Sequence, residues 1–359
     1  MKKKKILLQG YIGHSNFGDD LLFEIAIERI KQISNIEVNV VITDPTVNCD
    51  YLYNYFAELN IIKFNKRLPL FFYNQFDKVY YIGGGVFFDY KTDLSLLPFF
   101  KNYVTNIIRY KIPKLLGTQF GGIGLGIGPY FNKESLILHK QLISSFDFLG
   151  VRDKKSFDIA KAMGIKNLYL SNDLSIGYKN LSDEDIIVSS NEIIICPRSY
   201  HHKPAFEKHL VELIKFAEYL EENNFKTHWI FLQEDTAELM RKLNGKFKIT
   251  IWNPLNMSIL SFIELFKNGQ VVFSSRMHSL FIAGLVDTPF VAVKLHPKLK
   301  FASELFYENP EIINPIDDLD MYKLALENIK IKKFNKEKLI NDKEVLNQLN
   351  NKFLDWLSK

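Results

Sequence analysis

Two hydrophobic periods trade places along this chain. Short β-rich apolar runs at 6–12, 37–42, 60–64, 78–82, 114–119, 148–151 and 167–170 predict strands. Apolar residues at helical spacing over 21–33, 99–109, 133–144 and 155–163 predict the helices between them. A polar, acidic stretch over 181–191 reads as a linker, after which the pattern restarts. Strands at 192–196, 227–232 and 249–252 alternate with helices at 204–223, 236–243 and 257–267. "VVFSSRMHSLFIAGLVDTPFVAV" (271–293) then reads as strand, tight turn, apolar helix, strand, and lysine-rich helical segments from about 319 to 359 close the chain. Strands that alternate with helices imply parallel sheets with helical crossovers. The fold class is therefore α/β: two Rossmann-like domains facing a cleft, over 1–182 and 190–330, with a helical segment over 331–359. Ligands of such sheets bind beyond the carboxyl ends of the strands.

Composition narrows the classes. With 359 residues, 47% hydrophobic and 24% charged, each half has material for a core. The net charge of +5 suits an anionic substrate and is too small to argue for nucleic acid. Cys49 and Cys196 are far apart and form no CxxC, so neither a disulfide scaffold nor a zinc site is expected and the cytoplasm is the default compartment. No metal motif stands out. Lys2-Lys3-Lys4-Lys5 precedes only Ile6-Leu7-Leu8, too short for a signal peptide, and no stretch reaches the roughly 18 apolar residues of a membrane span. The aromatic stretches at 68–76 and 94–100 read mostly as core, with an exposed edge against lipid as the lesser reading. His201-His202 reads as loop.

Three glycine-rich stretches stand where strands are expected to end. "GYIGHSNFGDD" (10–20) places Gly10, Gly13 and Gly18 out of register for GxGxxG, and Asp19-Asp20 at the helix start would repel a pyrophosphate, which discounts a dinucleotide. Either the glycines make a turn and the aspartates cap the helix, or Asn16 and Asp19 hydrogen-bond neutral sugar hydroxyls. "IGGGVFFD" (82–89) lacks the GK[ST] of a P-loop, but Gly84 and Gly85 let a ligand approach the backbone. "GGIGLGIGP" (121–129) either packs bare backbone or joins the other two as the floor of a site.

Cations also collect at strand ends. Ser275, Arg276 and His278 stand where a strand gives way to an apolar helix, and free N–H groups, a guanidinium and an imidazole there would attract an anion. The alternative is an Arg276 paired with a distant carboxylate and a capping His278. Arg152, Arg198, Lys294 and His296 follow other strands, and together they look like a multi-anion site.

These residues resemble the polysaccharide pyruvyl transferase family. The resemblance runs from about 8 to 305 and rests on "GYIGHSNFGDDLL", "IGGGVFFD", "GLGIGP" followed by "GVRDKKS", and the Arg-x-His turn of "SSRMHSLFIAGLVDTPFVAV". It implies a GT-B-like fold, phosphoenolpyruvate as donor, a sugar of a cell-surface glycan as acceptor, and a pyruvate ketal plus phosphate as products, with no cofactor. By motif position Arg276 and His278 inherit the catalytic role. Arg152, Arg198, Ser275 and Lys294 are donor-binding candidates, and Asn16, Asp19, Gly84 and Gly85 acceptor-binding candidates. The chain departs from the family at Asp173-Leu174, where relatives often read Asp-Pro. A lipid-linked acceptor would bring the enzyme to the inner face of a membrane. Two other readings use the same residues: a GT-B glycosyltransferase taking a nucleotide sugar, with Glu304 on the ribose, and a non-catalytic glycan-assembly protein.

Overall fold

The computed structural model describes residues 3–44, 46–65, 68–89, 96–179, 191–198, 204–235 and 237–359. Most of the 181–191 linker and the His201-His202 pair lie outside them. The chain forms two compact units, one of Met1–His14, Asp19–Gly177 and Asp342–Lys359, the other of Ser15–Gly18 and Tyr178–Asn341.

The first unit holds β1 (Lys4–Gln9), α1 (Phe17–Ile30), β2 (Ile36–Ile42), β3 (Asn60–Lys63), β4 (Lys78–Tyr81), β5 (Gly84–Phe87), α2 (Leu96–Asn106), α3 (Ile112–Leu115), β6 (Gln119–Ile127), α4 (Lys133–Ile143), β7 (Phe146–Val151), α5 (Lys154–Ala162) and β8 (Leu168–Leu170). The strands pair in parallel in the order β3-β2-β1-β4-β6-β7-β8, with β5 added alongside β6. The inner strands are buried on both faces, which is why they read as unbroken apolar runs. Val79, Tyr81, Phe120, Leu149 and Val151 form the centre of the core, closed by the rings of Tyr73 and Tyr110.

The second unit holds β9 (Glu192–Cys196), α6 (Pro204–Glu222), β10 (Lys226–Phe231), α7 (Ala237–Leu243), β11 (Lys248–Ile251), α8 (Ile259–Lys267), β12 (Val271–Ser274), α9 (Met277–Leu285), β13 (Phe290–Val293), α10 (Pro297–Phe306), β14 (Ile312–Ile313) and α11 (Leu319–Ile329). Its parallel order is β11-β10-β9-β12-β13-β14. The chain ends in α12 (Lys336–Ser358).

Two expectations are corrected. The strand expected at 114–119 is displaced: a helical run continues to Leu115, through a π-turn at Ile107–Lys111, and the strand is Gln119–Ile127. The glycine-rich stretch thus lies inside a strand and is not a loop beyond one. The reason is close packing from both faces. A side chain at Gly121 would start 2.5 Å from the Trp356 ring, one at Gly124 would meet Leu174 at 2.6 Å, and one at Gly126 would meet the Arg152 guanidinium at 2.9 Å. Gly124 also has φ +71°, and the pairing register with β7 slips beside it, so the strand bulges there.

The second correction concerns the aromatic stretches. Phe72, Tyr73 and Phe76 are core, but Leu70, Phe71, Leu97 and Phe100 are exposed.

The tail of α12 returns to the first sheet. Phe353 packs on Tyr80 and Phe148 at ring separations of 4.7 and 5.1 Å, and Trp356 fills the slot over Gly121. Lys4 Nζ donates to Ser358 O at 2.6 Å and Lys78 Nζ to Trp356 O, so cations of β1 and β4 meet the carbonyl end of the helix. Burial, and then the charge of Lys4, brings the Lys78 ammonium down to about 8.

In the second unit, Glu192 at the start of β9 takes His228 Nδ1 at 3.2 Å and Lys248 Nζ at 2.8 Å. The hydrogen bond from His228, ahead of that from Lys248, holds its carboxyl down to about 2 against the opposing effect of burial.

Gly121→Ala is expected to cost about 1–3 kcal/mol by overfilling the Trp356 slot, and close to nothing in a Trp356→Ala background. Thermal denaturation of the four proteins checks this, and simple additivity would contradict the packing argument. The Glu192 carboxylate is depressed in the folded state, so its stabilisation is complete above its unfolded value of 4.5 and is lost as pH falls toward about 2. Glu192→Gln should flatten the acid limb of the stability curve over that window in equilibrium denaturation; an unchanged limb would count against it.

Candidate active site

In the second unit the neighbouring parallel strands β9 and β12 end together, with Ser274 in register with Cys196. Beyond that point the chain must turn while buried, so its backbone groups need partners. Serine hydroxyls supply them. Ser275 N donates to Cys196 O at 3.0 Å, and Ser275 Oγ accepts from Arg198 N at 2.8 Å, which ties the two strand ends to each other. Ser274 Oγ accepts from Arg276 N at 2.9 Å, and Ser279 Oγ donates to Arg276 O at 2.7 Å. Both backbone groups of Arg276 are thereby fixed.

Arg276 is the N-cap of α9, in extended geometry (φ −112°, ψ 130°), so α9 starts at the residue after it. A guanidinium has no acceptor atom, so this cap cannot satisfy the first-turn N–H groups as Ser or Asp would. The helix behind it is apolar and buried on nearly every side, and Phe306 of α10 packs within 2.4 Å of where a Gly284 side chain would begin. Arg276 is only 8% exposed and His278 is half-buried. Burial pushes the thiol of neighbouring Cys196 up, and the positive charge of Arg276 pulls it the other way. The strand end is therefore an electropositive, largely dry setting.

The segment Ser15–Gly18 belongs to this unit. Phe17 is fully buried against Phe262 and the edge of Trp252, at ring separations of 4.5 and 5.1 Å, and Phe17 N donates to Leu232 O at 2.8 Å. Asn16 uses both ends of its amide: Nδ2 donates to Gln233 Oε1 at 2.7 Å, and Oδ1 accepts from Gly18 N at 3.2 Å. This locks Gly18 beneath the His278 imidazole, where an added Cβ would lie 1.8 Å from Nδ1. Gly18 and Gln233 are participants that the sequence pattern did not single out. The glycine spacing marked Gly18, but only as a turn. Asn16, expected to meet a sugar, is occupied in this local lock.

Lys294 follows β13, is exposed, and has its N–H on Ile313 O at 2.8 Å. His296 accepts from Lys298 N through Nδ1 at 3.2 Å and caps α10. Glu304 does not follow a strand directly; it lies within α10, 3.5 Å from Lys300.

The remaining candidates meet in the first unit. Arg152 follows β7, and its N–H donates to Leu125 O at 3.0 Å. Its guanidinium lies across Gly126, with Nη2 3.8 Å from where a Gly85 side chain would begin. Nη1 is 3.4 Å from Asp173 Oδ2, and Nε is 3.5 Å from Asp153 Oδ2. Asp173 Oδ1 also accepts from Ser175 N and Oγ at 3.1 and 2.7 Å, so Asp173 braces the turn after β8. Arg152 is a buried cation neutralised by acids of its own unit, and removing either partner of such a pair costs about 3–5 kcal/mol.

Asp19 is half-buried, its Oδ1 3.8 Å from where a Gly84 side chain would begin. Asp20 is buried and accepts from Tyr51 OH at 2.7 Å. Nearby, exposed Tyr11 stacks on His14 at 4.1 Å. Burial, then Asp19 and Asp44, raises the Tyr11 phenol, and burial lowers His14 against the pull of Asp44. Among the described residues no group of three or more His, Cys, Asp or Glu could hold a metal ion.

The Gly18 contact has a direct test. Gly18→Ala should displace the His278 ring and shift its imidazole carbon-bound proton resonances, with the other histidines little changed. Identical His278 resonances in the two proteins would mean the ring does not rest on that backbone.

The family model for polysaccharide pyruvyl transferases matches residues 16–297. No curated protein matches the chain. Among solved structures, it is similar to the UDP-GlcNAc 2-epimerase of Methanocaldococcus jannaschii, with a TM-score of 0.59, 11% identity, and 99% of this chain and 100% of that one covered. It is similar to the Neisseria meningitidis UDP-GlcNAc 2-epimerase bound to UDP-GlcNAc, at 0.58, 9% identity and 99% of each chain. Anabaena Alr3699/HepE in complex with UDP and glucose matches at 0.57, 12% identity, and 99% and 100% of the chains. At such identities the likeness shows the fold alone, α/β with two parallel sheets of the GT-B-like kind. The matched family model spans the Gly18 lock, Arg152 and the Arg-x-His turn: the chain belongs to the polysaccharide pyruvyl transferase family, a family of transferase enzymes.

Proposed function

We propose that the protein transfers a pyruvyl group from phosphoenolpyruvate to two hydroxyls of a glycan sugar, forming a ketal and releasing phosphate. The observation that carries this reading is the buried Arg276 at the start of α9 beside a His278 ring seated on Gly18. Phosphoenolpyruvate presents a carboxylate and a phosphate on one small frame. A planar guanidinium and the uncapped N–H groups of a helix start suit two such anions, and positioning of this kind supplies orientation and charge stabilisation. Arg198 and Ser275, joined at the adjoining strand end, would complete the donor site, with exposed Lys294 at its margin.

In the proposed reaction a proton is added to the methylene carbon, which becomes a methyl group and leaves positive character at the carbon bearing phosphate. One sugar hydroxyl bonds to that carbon and gives up its proton, balancing the one consumed. A second hydroxyl oxygen then displaces phosphate, and its proton leaves with the phosphate. His278 is the titratable group beside Arg276 and is assigned the proton transfer at the methylene carbon or at the departing phosphate. Arg152 is engaged by Asp153 and Asp173, and its proposed part is to hold the Gly85 and Gly126 backbones in place. Acceptor hydroxyls are assigned to Asp19 and the Gly84–Gly85 backbone, with the Tyr11–His14 stack as a surface for a sugar face.

The likeness to proteins solved with UDP or UDP-GlcNAc supports a second reading, in which the same cations bind the diphosphate of a nucleotide sugar. Melting-temperature shifts separate the two. Phosphoenolpyruvate should raise the melting temperature by a few degrees, and UDP-, GDP- and CMP-sugars should not; the reverse result would favour the second reading. Arg276→Ala and His278→Ala should each lower glycan-dependent phosphate release by about a hundredfold or more in protein that circular dichroism shows to be folded. Near-normal turnover in both would rule the assignment out.

A further inference from the structure

The run that crosses α2, the π-turn and α3 is pinned by one side and bare on the other. Tyr110 and Pro113 are buried, Asn106 Nδ2 donates to Leu138 O at 3.2 Å, and Lys114 Nζ meets Asp147 at 2.9 Å. Against this, Leu97 is 84% exposed, Phe100 60%, Leu115 85% and Leu116 68%, and Val104 and Ile107 are also exposed. Positions 97, 100, 104 and 107 recur at three- and four-residue spacing, so they form a stripe along a helix and not a scatter of single apolar residues.

The charges within the run itself have one sign. From 96 to 117 the chain carries Lys101, Arg109, Lys111 and Lys114 and no Asp or Glu. Lys101 is exposed between Leu97 and Val104, and Lys111 reaches Ser144 Oγ at 2.8 Å. Among the described residues no helix is long and apolar enough to cross a membrane, and this run is no exception. A helix with large exposed apolar side chains flanked only by cations has the chemistry of one that lies in the plane of an anionic bilayer, its apolar side chains among the acyl chains and its lysines among the headgroups.

We propose that the α2–α3 run is a membrane-docking face that seats the first unit on an anionic lipid surface. The complementarity rests on the exposed Lys101 and the half-buried Lys111 beside six exposed apolar side chains, on a run whose own sequence holds no acid and whose Lys114 is already paired with Asp147. The proposal is independent of the donor reading. It also deepens the acceptor question, because a docked enzyme would meet a lipid-linked glycan at the bilayer surface.

Sedimentation of the full chain with vesicles tests it. The protein should pellet with vesicles of equal parts phosphatidylglycerol and phosphatidylcholine and stay in solution with phosphatidylcholine alone. Leu97→Glu combined with Leu115→Glu should weaken binding by about tenfold or more, since each leucine loses an apolar seat, while the melting temperature is unchanged because both side chains lie in solvent. Lys101→Gln with Lys111→Gln, or added salt, should weaken it several-fold. Absence of wild-type binding to the anionic vesicles would overturn the proposal, as would equal binding by the double glutamate variant. A dimer in light scattering that the glutamates disperse, without vesicle binding, would overturn it in favour of a second copy of the chain.

Discussion

A guanidinium and an imidazole stand at the start of a helix that has almost no polar face. That constraint organises the second unit around it. The turn before α9 is too buried to be solvated, so Ser274, Ser275 and Ser279 supply its hydrogen bonds and hold both backbone groups of Arg276. The imidazole needs a flat seat, and only a residue without a side chain provides one; Gly18 is held there by the Asn16 amide and by Phe17 wedged between Trp252 and Phe262. The placement of Arg276 and His278 in an apolar strand–turn–helix thus has a physical frame. Fixed placement of the pair is what the proposed anion recognition would require, and the hydroxyls and the glycine supply it.

Two arginines at strand ends share one sequence signature and have different surroundings. Arg152 lies across bare glycine backbone and is bracketed by Asp153 and Asp173. Arg276 is fixed through its backbone by serines, next to a histidine. The first arrangement spends the cation on its own fold, and the acids that do so lie one and twenty-one residues away along the chain. No local pattern around "GVRD" reveals the second of them. The proposed donor reading rests on the geometry of Arg276 and His278 at the start of α9; the family match over residues 16–297 takes in Arg152 as well as His278 and does not choose between them.

Periodicity alone carried most of the element order, because parallel strands buried on both faces are apolar throughout and helices between them keep a 3.6-residue repeat. It misplaced one strand, at 114–119, and left open whether the glycines of 121–129 pack bare backbone, which they do. In β6 the absent side chains are replaced by Trp356, Leu174 and Arg152, all distant in sequence, so the stretch looks like a loop until its neighbours are known. The short β14 and α10 went unread, and nothing in the lysine-rich repeat of α12 says that Phe353 and Trp356 dock on Tyr80 and Gly121. Of the site, the Arg-x-His turn was legible from its place at a strand end. The Asn16–Gln233 bond was not, since the partners are 217 residues apart. The run at 94–100 has the composition of a core; residues 94 and 95 lie outside the described ones, and the exposure of Leu97 and Phe100 distinguishes the rest from a core.

The most direct measurement is a calorimetric titration of phosphoenolpyruvate into the full chain and into Arg276→Ala, with UDP as the competing ligand. The account predicts saturable binding of phosphoenolpyruvate to the native chain, none to the variant, and no displacement by UDP. Equal binding of phosphoenolpyruvate to both proteins, or tight binding of UDP with none of phosphoenolpyruvate, would contradict it.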